Sequence, residues 1–378
     1  MKSKLTAISE DQNREVSYRI TVILLAVLLS NAALLGQRST TSNAKLETRV
    51  DAFVRSKMAE YHIPGLSLAV VRHGKIVLAK GYGVSNLELN TRATSKTRYS
   101  LYSITKTFTA VAVMMLVESG SVGLDDPISK YLSGLPTTLR EVKVRHLLSH
   151  TSGIEGFRDH LGKLGDQTAD HTQKELLDLT AALPLQFDPG AKWDYSDTNF
   201  YLLGMLIEKV TGKTYESFLR ERIFDPLGMS DTRIDSITDV IPDRASGYVW
   251  ETTRFVNAKP YSPTITFSAA GLSSTVLDLA KWDAALYTEK LLKKATLDRM
   301  FSYTKLNSGE MISNTGLGFG LSPFRGRRRA GHVGSGEGFA TSISRFLDDN
   351  LTVILLSNAG QEGFTIKDIE NEIAAFYF

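Results

Sequence analysis

The stretch Ser103-Ile104-Thr105-Lys106, followed by Thr107–Val117 (TFTAVAVMMLV), decides the fold. The residues after Lys106 are apolar or small almost all round, so they predict a helix that is buried on every side. Ser103 and Lys106 are three residues apart, a spacing that places both side chains on one helical face. A serine at a helix start also lies near unpaired backbone N–H groups and the positive end of the helix dipole. The stretch therefore predicts a central helix with a reactive serine at its start.

A serine becomes an effective nucleophile only when a neighbouring group takes its proton. A lysine can do so where a desolvated, electropositive setting lowers its pKa. The Ser-x-x-Lys spacing occurs three times, at Ser42/Lys45, Ser103/Lys106 and Ser302/Lys305. The first pair lies in a polar segment and the third in the short segment FSYTKLN, so only the second precedes a helix apolar enough to be dry. From these residues alone, a helix-capping serine with a surface lysine is a competing interpretation.

Strands are predicted towards both ends of the chain. They form two hairpins with the strands Leu66–Arg72, Lys75–Gly81, Ala340–Phe346 and Leu351–Ser357. His73-Gly74 and Asp348-Asp349-Asn350 supply the turn chemistry. A helical stretch from Ser103 to about Lys281 lies between the hairpins, and a helix over 366–376 closes the chain. We therefore predict an α/β (α+β) fold, in which both chain ends build one antiparallel sheet and a helical region is inserted between them.

The amino-terminal segment differs from the rest of the chain. Basic residues precede the apolar run Ile20–Leu29, and Ser30-Asn31-Ala32-Ala33 follows it, which is typical of a secretory signal peptide. Extended to Leu35, the apolar stretch has about 16 residues and also fits an uncleaved membrane anchor over 20–35. We predict export to the periplasm or the extracellular space. Residues 1–45 are then leader and linker, and 46–378, beginning with an amphipathic helix over 46–61, form the folded domain.

Composition excludes several classes of function. The 44 basic and 41 acidic side chains give a net charge of +3, which is too balanced for a nucleic-acid-binding protein. The chain has no cysteine, which rules out disulfides, thiolate nucleophiles and cysteine-bound metals. His146 and His150 have a metal-ligand spacing, but Thr151-Ser152-Gly153 interrupts the helix and no His-Glu-x-x-His motif is present. We therefore predict neither a metal nor a cofactor, and a small-molecule or peptide substrate.

The segment 99–110 (YSLYSITKTFTA) resembles the nucleophile helix of the β-lactamase-related serine hydrolases. This family includes class C β-lactamases, D,D-carboxypeptidases, D-aminopeptidases and family VIII esterases. Further matching segments follow in order: Leu147–Gly153, Tyr195–Gly204, Asp225–Met229, Ala270–Thr275 and Gly331–Phe339. The resemblance covers roughly 46–378 and implies a β-lactamase/transpeptidase-like fold. It also implies that Ser103 is the covalent nucleophile and Lys106 its first proton acceptor.

The resemblance assigns roles to four more residues. Tyr195 would relay a proton to the leaving group and help to activate the deacylating water. His332 begins the element that matches the Lys/His-Thr/x-Gly triad of the family, and Gly334 would let substrate approach this strand. The N–H of Ser335 would join that of Ser103 as the oxyanion hole. Without the matching flanks, a core tyrosine and a surface histidine are the plainer interpretations.

Two residues depart from the family pattern. Asp197 stands where many members have asparagine, which removes an amide donor that would bind substrate, and contact with Lys106 would raise the lysine pKa. His332 replaces the lysine of β-lactamases and is more similar to D,D-carboxypeptidases and D-aminopeptidases. We therefore expect hydrolysis of a D-amino-acid-containing peptide or a small ester; a class C-like β-lactamase and a non-catalytic penicillin-binding sensor are the alternatives. The basic run Arg325–Arg329 either attracts a substrate carboxylate or forms a solvated loop.

Overall fold

The computed structural model describes residues 44–181, 183–360 and 365–378. The described chain divides into two units, with the boundary between Val54 and Arg55. A helix, α1, covers 44–60 and agrees with the predicted helix over 46–61. The predicted leader lies outside the described residues. No helix within the described ranges has both the length and the apolar character needed to cross a bilayer.

The long strands lie near the two ends of the described chain, and the short strands lie between them. They are β1 (Gly65–Arg72), β2 (Lys75–Asn86), β3 (Thr91–Arg92), β4 (Tyr99–Ser100), β5 (Arg233–Ile234), β6 (Tyr248–Glu251), β7 (Arg254–Asn257), β8 (Leu272–Ser274), β9 (Thr304–Lys305), β10 (Met311–Ile312), β11 (Gly320–Leu321), β12 (Arg329–Gly336), β13 (Phe339–Phe346) and β14 (Leu351–Ser357). Seven of them form the main sheet, in the order β11-β12-β13-β14-β1-β2-β3. The pairs in this sheet are antiparallel.

Both predicted hairpins are confirmed. In the first, Arg72 pairs with Lys75, and the turn residues His73 and Gly74 have φ values of 49° and 70°. Positive φ at both central positions is the backbone that tight hairpins need, and glycine adopts it without strain. In the second hairpin Phe346 pairs with Leu351. Because β1 also pairs with β14, the two chain ends share one sheet, as the sequence predicts.

Most of the helices lie between the two hairpins along the chain. They are α2 (Thr105–Glu118), α3 (Val144–Leu148), α4 (Gln173–Ala181), α5 (Asp197–Thr211), α6 (Tyr215–Leu219), α7 (Asp225–Leu227), α8 (Pro263–Ala270), α9 (Val276–Ala285), α10 (Lys294–Met300) and the closing helix α11 (Ile366–Ala375), with 3₁₀ segments at Tyr102–Ile104, Ile128–Lys130, Thr137–Leu139 and Phe157–Leu164 and a π segment at Arg220–Phe224. The region continues past the predicted limit at Lys281. It also contains small sheets, β4-β8-β5 and β6-β7, whose strands of two to four residues are too short to show an alternating pattern.

Helix α2 is the centre of the helical region. Its first twelve residues, Thr105 to Leu116, are all buried, which confirms the predicted central helix. It packs against α5 and α8, and Phe108 stacks on Trp282 of α9 with ring centroids 4.0 Å apart. Helices α9 and α11 in turn pack on the main sheet. The start of α2 is thereby held beside β12, where the predicted site lies.

Candidate active site

Ser103 lies in the 3₁₀ turn Tyr102–Ile104, which leads directly into α2. The preceding residue, Tyr102, has φ 48°, in the left-handed region that side chains other than glycine rarely adopt. Its ring fixes this conformation, because the hydroxyl donates to the carbonyl of Glu337 at 3.3 Å and a Cβ on Gly336 would lie 1.8 Å from the ring. Ser103 thus lies in a constrained turn just before α2, whereas the sequence placed it in the first turn of the helix.

Lys106 is the buried partner of Ser103. Its side chain has no exposed surface, and its Nζ donates to Ser103 Oγ at 3.0 Å. The other acceptors of Nζ are Asp197 Oδ1 at 2.5 Å and the carbonyl oxygen of Ala269, in α8, at 2.9 Å. An ammonium group has three N–H donors, so these three acceptors satisfy it completely.

The predicted contact between Lys106 and Asp197 is present and controls the charge of both groups. Burial lowers the pKa of Lys106, but the Asp197 carboxylate outweighs this effect, with help from Tyr195, and the net pKa lies above its ordinary value. Burial raises the pKa of Asp197, but the charge of Lys106 and its hydrogen bond lower this pKa by a larger amount. The net pKa of the carboxyl is therefore below its ordinary value. The resting site therefore contains an ammonium–carboxylate pair, and Lys106 carries the proton it would have to lose before acting as a base.

Tyr195 approaches Ser103 from the loop before α5. Its hydroxyl donates to Ser103 Oγ at 2.9 Å, and its ring stacks on His150 with centroids 4.4 Å apart. The enclosure of the hydroxyl end raises the pKa of Tyr195, although Lys106 opposes the shift, so the phenol stays protonated at neutral pH. Ser103 Oγ is thus held between an ammonium group and a phenol.

His332 lies on β12, across the cavity from Tyr195, with the two ring centroids 6.2 Å apart. Burial, and then the charge of Lys106, lower the pKa of His332 to about 4. The ring is therefore neutral at physiological pH, and its Nδ1 lies 2.8 Å from the carbonyl oxygen of Val333. A neutral ring that donates through Nδ1 leaves Nε2 free to accept a hydrogen bond from substrate or water.

Gly334 has a different neighbour from the one that the family resemblance gives it. A Cβ at this position would lie 2.0 Å from the carbonyl oxygen of Leu101 and 2.3 Å from Thr341 Oγ1. The missing side chain therefore lets β12 approach the turn that carries Ser103. The next residue, Ser335, is exposed, and its carbonyl oxygen accepts a hydrogen bond from Arg158 at 3.2 Å.

A cavity of about 500 Å³ joins these residues. Four of the predicted site residues line it: Ser103, Tyr195, His332 and Ser335. The lining does not include Lys106, Asp197 or Gly334. Lys106 contacts the lining residue Ser103. The carboxylate of Asp197, at the position where many family members have asparagine, contacts Lys106.

The structure adds cavity residues to which the sequence analysis gave no role. They include Trp193, Arg158 and Lys367, and Arg329 of the predicted basic run also lines the cavity. His150, considered only as a metal ligand, is buried, and it accepts a hydrogen bond from the backbone N–H of Ser196 at 3.2 Å. Among the described residues there is no group of three side chains that could hold a metal ion. The matching segment Leu147–Gly153 contained the signal for His150, whereas nothing local marked Lys367.

The basic run splits between the two interpretations given to it. Arg327 is paired with Asp349 and Arg328 with Asp348, so this part is a surface loop held by acidic partners. Arg329 instead turns inward and is buried, and it donates to Asn371 Oδ1 at 2.6 Å and Ser322 Oγ at 2.6 Å. Only this member of the run contributes to the cavity.

Comparison with known proteins agrees with this geometry. The Beta-lactamase family model matches residues 50–375. Penicillin-binding protein 4* of Bacillus subtilis is 30% identical over 322 residues, covering 81% of this chain and 70% of that protein. The octameric penicillin-binding protein homologue from Pyrococcus abyssi superposes with a TM-score of 0.76 at 31% identity, over 87% of this chain and 77% of the other.

A second solved structure points in the same direction. The D-amino acid amidase from Ochrobactrum anthropi SV3, in complex with L-phenylalanine amide, superposes with a TM-score of 0.78 at 25% identity, over 88% of this chain and 98% of the other. The large antiparallel sheet, the inserted helices and the serine–lysine–tyrosine cluster are accounted for together by one family. The chain belongs to the β-lactamase family of serine hydrolases.

Proposed function

We propose that the protein hydrolyses an amide or ester bond through an acyl-enzyme on Ser103, most favourably in a peptide that contains D-amino acids. One observation carries this proposal: Ser103 Oγ lies 3.0 Å from Lys106 Nζ and 2.9 Å from the Tyr195 hydroxyl, in the wall of an open cavity. A hydroxyl placed between two groups that can move protons is the arrangement that nucleophilic catalysis needs.

The proposed reaction has two stages. Once Lys106 has lost a proton, Ser103 Oγ attacks the carbonyl carbon as the Ser103 proton passes to the neutral Lys106 amine, and the N–H groups of Ser103 and Ser335 stabilise the resulting oxyanion. Tyr195 gives a proton to the leaving group, and the carbon–nitrogen or carbon–oxygen bond of the substrate breaks. In the second stage water attacks the acyl carbon as one of its protons passes to the deprotonated Tyr195 oxygen. Lys106 returns a proton to Ser103 Oγ as the acyl ester bond breaks, and Ser103 is restored. Neutral His332 accepts a hydrogen bond from substrate in both stages.

Two basic residues that line the cavity support a substrate with a carboxylate. Arg329 and Lys367 line the same cavity as Ser103. A guanidinium and an ammonium are the groups that proteins use to bind carboxylates. A peptide that ends in a D-amino acid has such a carboxylate on its leaving group, whereas a small neutral ester does not. This favours activity of the D,D-carboxypeptidase type, and the likeness to a D-amino acid amidase supports the D configuration.

Penicillins also combine a reactive carbonyl with a carboxylate, so we expect them to acylate Ser103. Asp197 provides no amide donor, and its carboxylate is taken by Lys106, which favours a slow acyl-enzyme over a rapid β-lactamase. The complete set of Ser103, Lys106 and Tyr195 argues for turnover and against a non-catalytic sensor. Export through the amino-terminal apolar segment would place the enzyme where cell-wall peptides occur.

The substrate class is tested with two peptides ending in D-alanyl-D-alanine, one with a free carboxylate and one with a carboxamide. Wild type should release the carboxyl-terminal residue from the free acid faster. Lys367→Met should raise KM for the acid about tenfold and leave KM for the amide unchanged. Lys294→Met is the matched control, because this lysine is exposed and lies outside the cavity. Equal KM values for both peptides in all variants would refute recognition of the carboxylate, and failure of both peptides to react would refute peptide hydrolysis.

A further inference from the structure

Asp197 has no place in the reaction described above, yet it makes the shortest contact of Lys106 in the site. Its Oδ1 lies 2.5 Å from Nζ, and only 13% of its side chain is exposed. It is the first residue of α5, directly after the Tyr195-Ser196 segment, so the same chain segment brings Tyr195 to Ser103 and Asp197 to Lys106. The position of the carboxylate is therefore coupled to that of the nucleophile.

The hydrogen bonds of Lys106 create a chemical problem. Its three N–H donors are directed at Ser103, Asp197 and the Ala269 carbonyl, so the ammonium has no lone pair with which to take the proton of Ser103. One N–H proton must leave first. Ser103 is the group to be deprotonated and Ala269 offers an amide oxygen, which is a very weak base. Asp197 is the one acceptor of the three that can take up a proton.

We propose that Asp197 is a positioning residue that stores the proton of Lys106 during acylation. The Lys106 Nζ–H bond directed at Asp197 breaks as the Oδ1–H bond forms, which gives a neutral amine beside a neutral carboxylic acid. Rotation about Cε–Nζ brings the freed lone pair to Ser103. The Ser103 proton then passes to Nζ as Oγ bonds to the substrate carbonyl carbon. The stored proton stays on Asp197 until Lys106 has given its own proton back to Ser103, and it then returns to Nζ. This inference rests on the proposed acyl-enzyme function and adds a route for its first proton.

Burial makes the neutral pair accessible. Both groups are withdrawn from water, which disfavours an ammonium and a carboxylate alike. Burial acts to lower the pKa of Lys106 and to raise the pKa of Asp197, while their mutual attraction acts in the opposite direction. The ion pair is the resting state, and the neutral pair is a minor state separated from it by one short proton transfer.

The other charged groups that face the pair do not titrate near neutral pH. Burial lowers the pKa of His150 well below its ordinary value, and the pKa of His332 is about 4. Tyr195 has a raised pKa. The positive charge of Arg158 also acts on Asp197 and helps to lower the pKa of its carboxyl. Lys106 and Asp197 together hold a constant number of protons over this range. Acylation should therefore be insensitive to pH between about 6 and 9.

The experiment measures the second-order rate of acylation of the full chain by an activated ester between pH 6 and 9.5. Wild type should give a flat profile. Asp197→Asn keeps the shape but cannot store a proton, so Lys106 must lose one to water; at pH 7 the rate should fall about 10²-fold and then rise with pH, by up to about tenfold per unit. Asp197→Glu restores a carboxylate and should restore the flat profile. Asp194→Asn removes an exposed carboxylate three residues earlier and should match wild type.

Two results would overturn the inference. If the acylation rate of wild type itself rises steeply with pH, Lys106 loses its proton to solvent. If Asp197→Asn is faster than wild type at pH 7, the carboxylate only holds the lysine in its charged state. Because the wild-type profile needs no variant, the test stands even if Asp197→Asn does not fold. Absence of any adduct on wild-type Ser103 would refute the proposed function as well, whereas an adduct with a rising profile refutes the proton store alone.

Discussion

At the scale of single residues, Ser103 receives its two hydrogen bonds from residues with very different predictability. Lys106 is three positions away, and helical spacing alone places it beside the serine. Tyr195 is 92 residues away, and only the resemblance to a family indicated that it faces Ser103. The three acceptors of Lys106 include a backbone carbonyl, that of Ala269, which no side-chain motif reveals. Local helical geometry thus predicts the hydrogen bond from Lys106 to Ser103, whereas tertiary packing determines the one from Tyr195.

The role of Tyr195 gives a prediction at this scale. Tyr195→Phe removes the hydroxyl that contacts Ser103 Oγ and keeps the stacking on His150, so acylation should slow by about 10²-fold while the thermal unfolding midpoint stays near that of wild type. Stopped-flow measurement with an activated ester gives the rate. Tyr303→Phe is the control, because Tyr303 is an exposed tyrosine outside the cavity. A Tyr195→Phe rate equal to that of wild type would remove Tyr195 from the proton path.

At the scale of elements, the site depends on the close approach of β12 to the start of α2. Thr341 Oγ1 donates to the Leu101 carbonyl at 2.7 Å, and Gly334 leaves room for the same carbonyl. The pattern of apolar residues predicted α2 and both hairpins because long buried elements appear in the sequence as extended apolar runs. It gave no indication of β4, β5 and β8, whose pairing includes Tyr99 with Ser274. Such short strands are fixed by their partners and have no sequence period of their own.

Gly334→Ala tests this approach. The new Cβ would lie 2.0 Å from the Leu101 carbonyl oxygen, so strand and turn must separate. We expect a loss of about 1 to 3 kcal/mol in the free energy of unfolding, together with a loss of acylation, because Ser103 moves with the turn. Gly162→Ala is the control, since a Cβ added there would meet no atom within 4 Å and the φ of Gly162 is not positive. Urea denaturation and acylation rates are the measurements. Unchanged values for Gly334→Ala would contradict the packing described for β12.

At the scale of the whole molecule, both chain ends build the sheet, and the closing helix α11 brings Lys367 to the cavity and Glu370 under the sheet. Glu370 is fully buried and accepts hydrogen bonds from Ser342 Oγ and Ser344 Oγ, each at 2.7 Å. The sequence predicted the closing helix α11. It could not predict that a charged residue of this helix lies inside, because a glutamate in an amphipathic helix is usually placed on the solvent side.

Glu370 makes stability depend on pH. Burial raises the pKa of its carboxyl to about 7, above the ordinary value of 4.5 that applies to the unfolded chain. The folded state therefore holds this proton more tightly, so stability is greatest below the unfolded pKa and falls as the pH rises from about 4.5 to about 7, by roughly 3 kcal/mol. Glu370→Gln should reduce the difference in unfolding free energy between pH 5 and pH 8. Glu372→Gln, on the exposed side of the same helix, should not. An equal pH dependence in wild type and Glu370→Gln would show that another group is responsible.

The central claim is that Ser103 is the covalent nucleophile, and the most direct measurement is the intact mass of the full chain after incubation with a penicillin and, separately, with an activated ester. Wild type and Ser302→Ala, which alters another Ser-x-x-Lys serine, should each gain the mass of one acyl group or release product in a Ser103-dependent manner. Ser103→Ala should gain no mass and release no product above the uncatalysed rate. An adduct of the same mass and lifetime on Ser103→Ala, or no adduct and no product with wild type, would contradict the account.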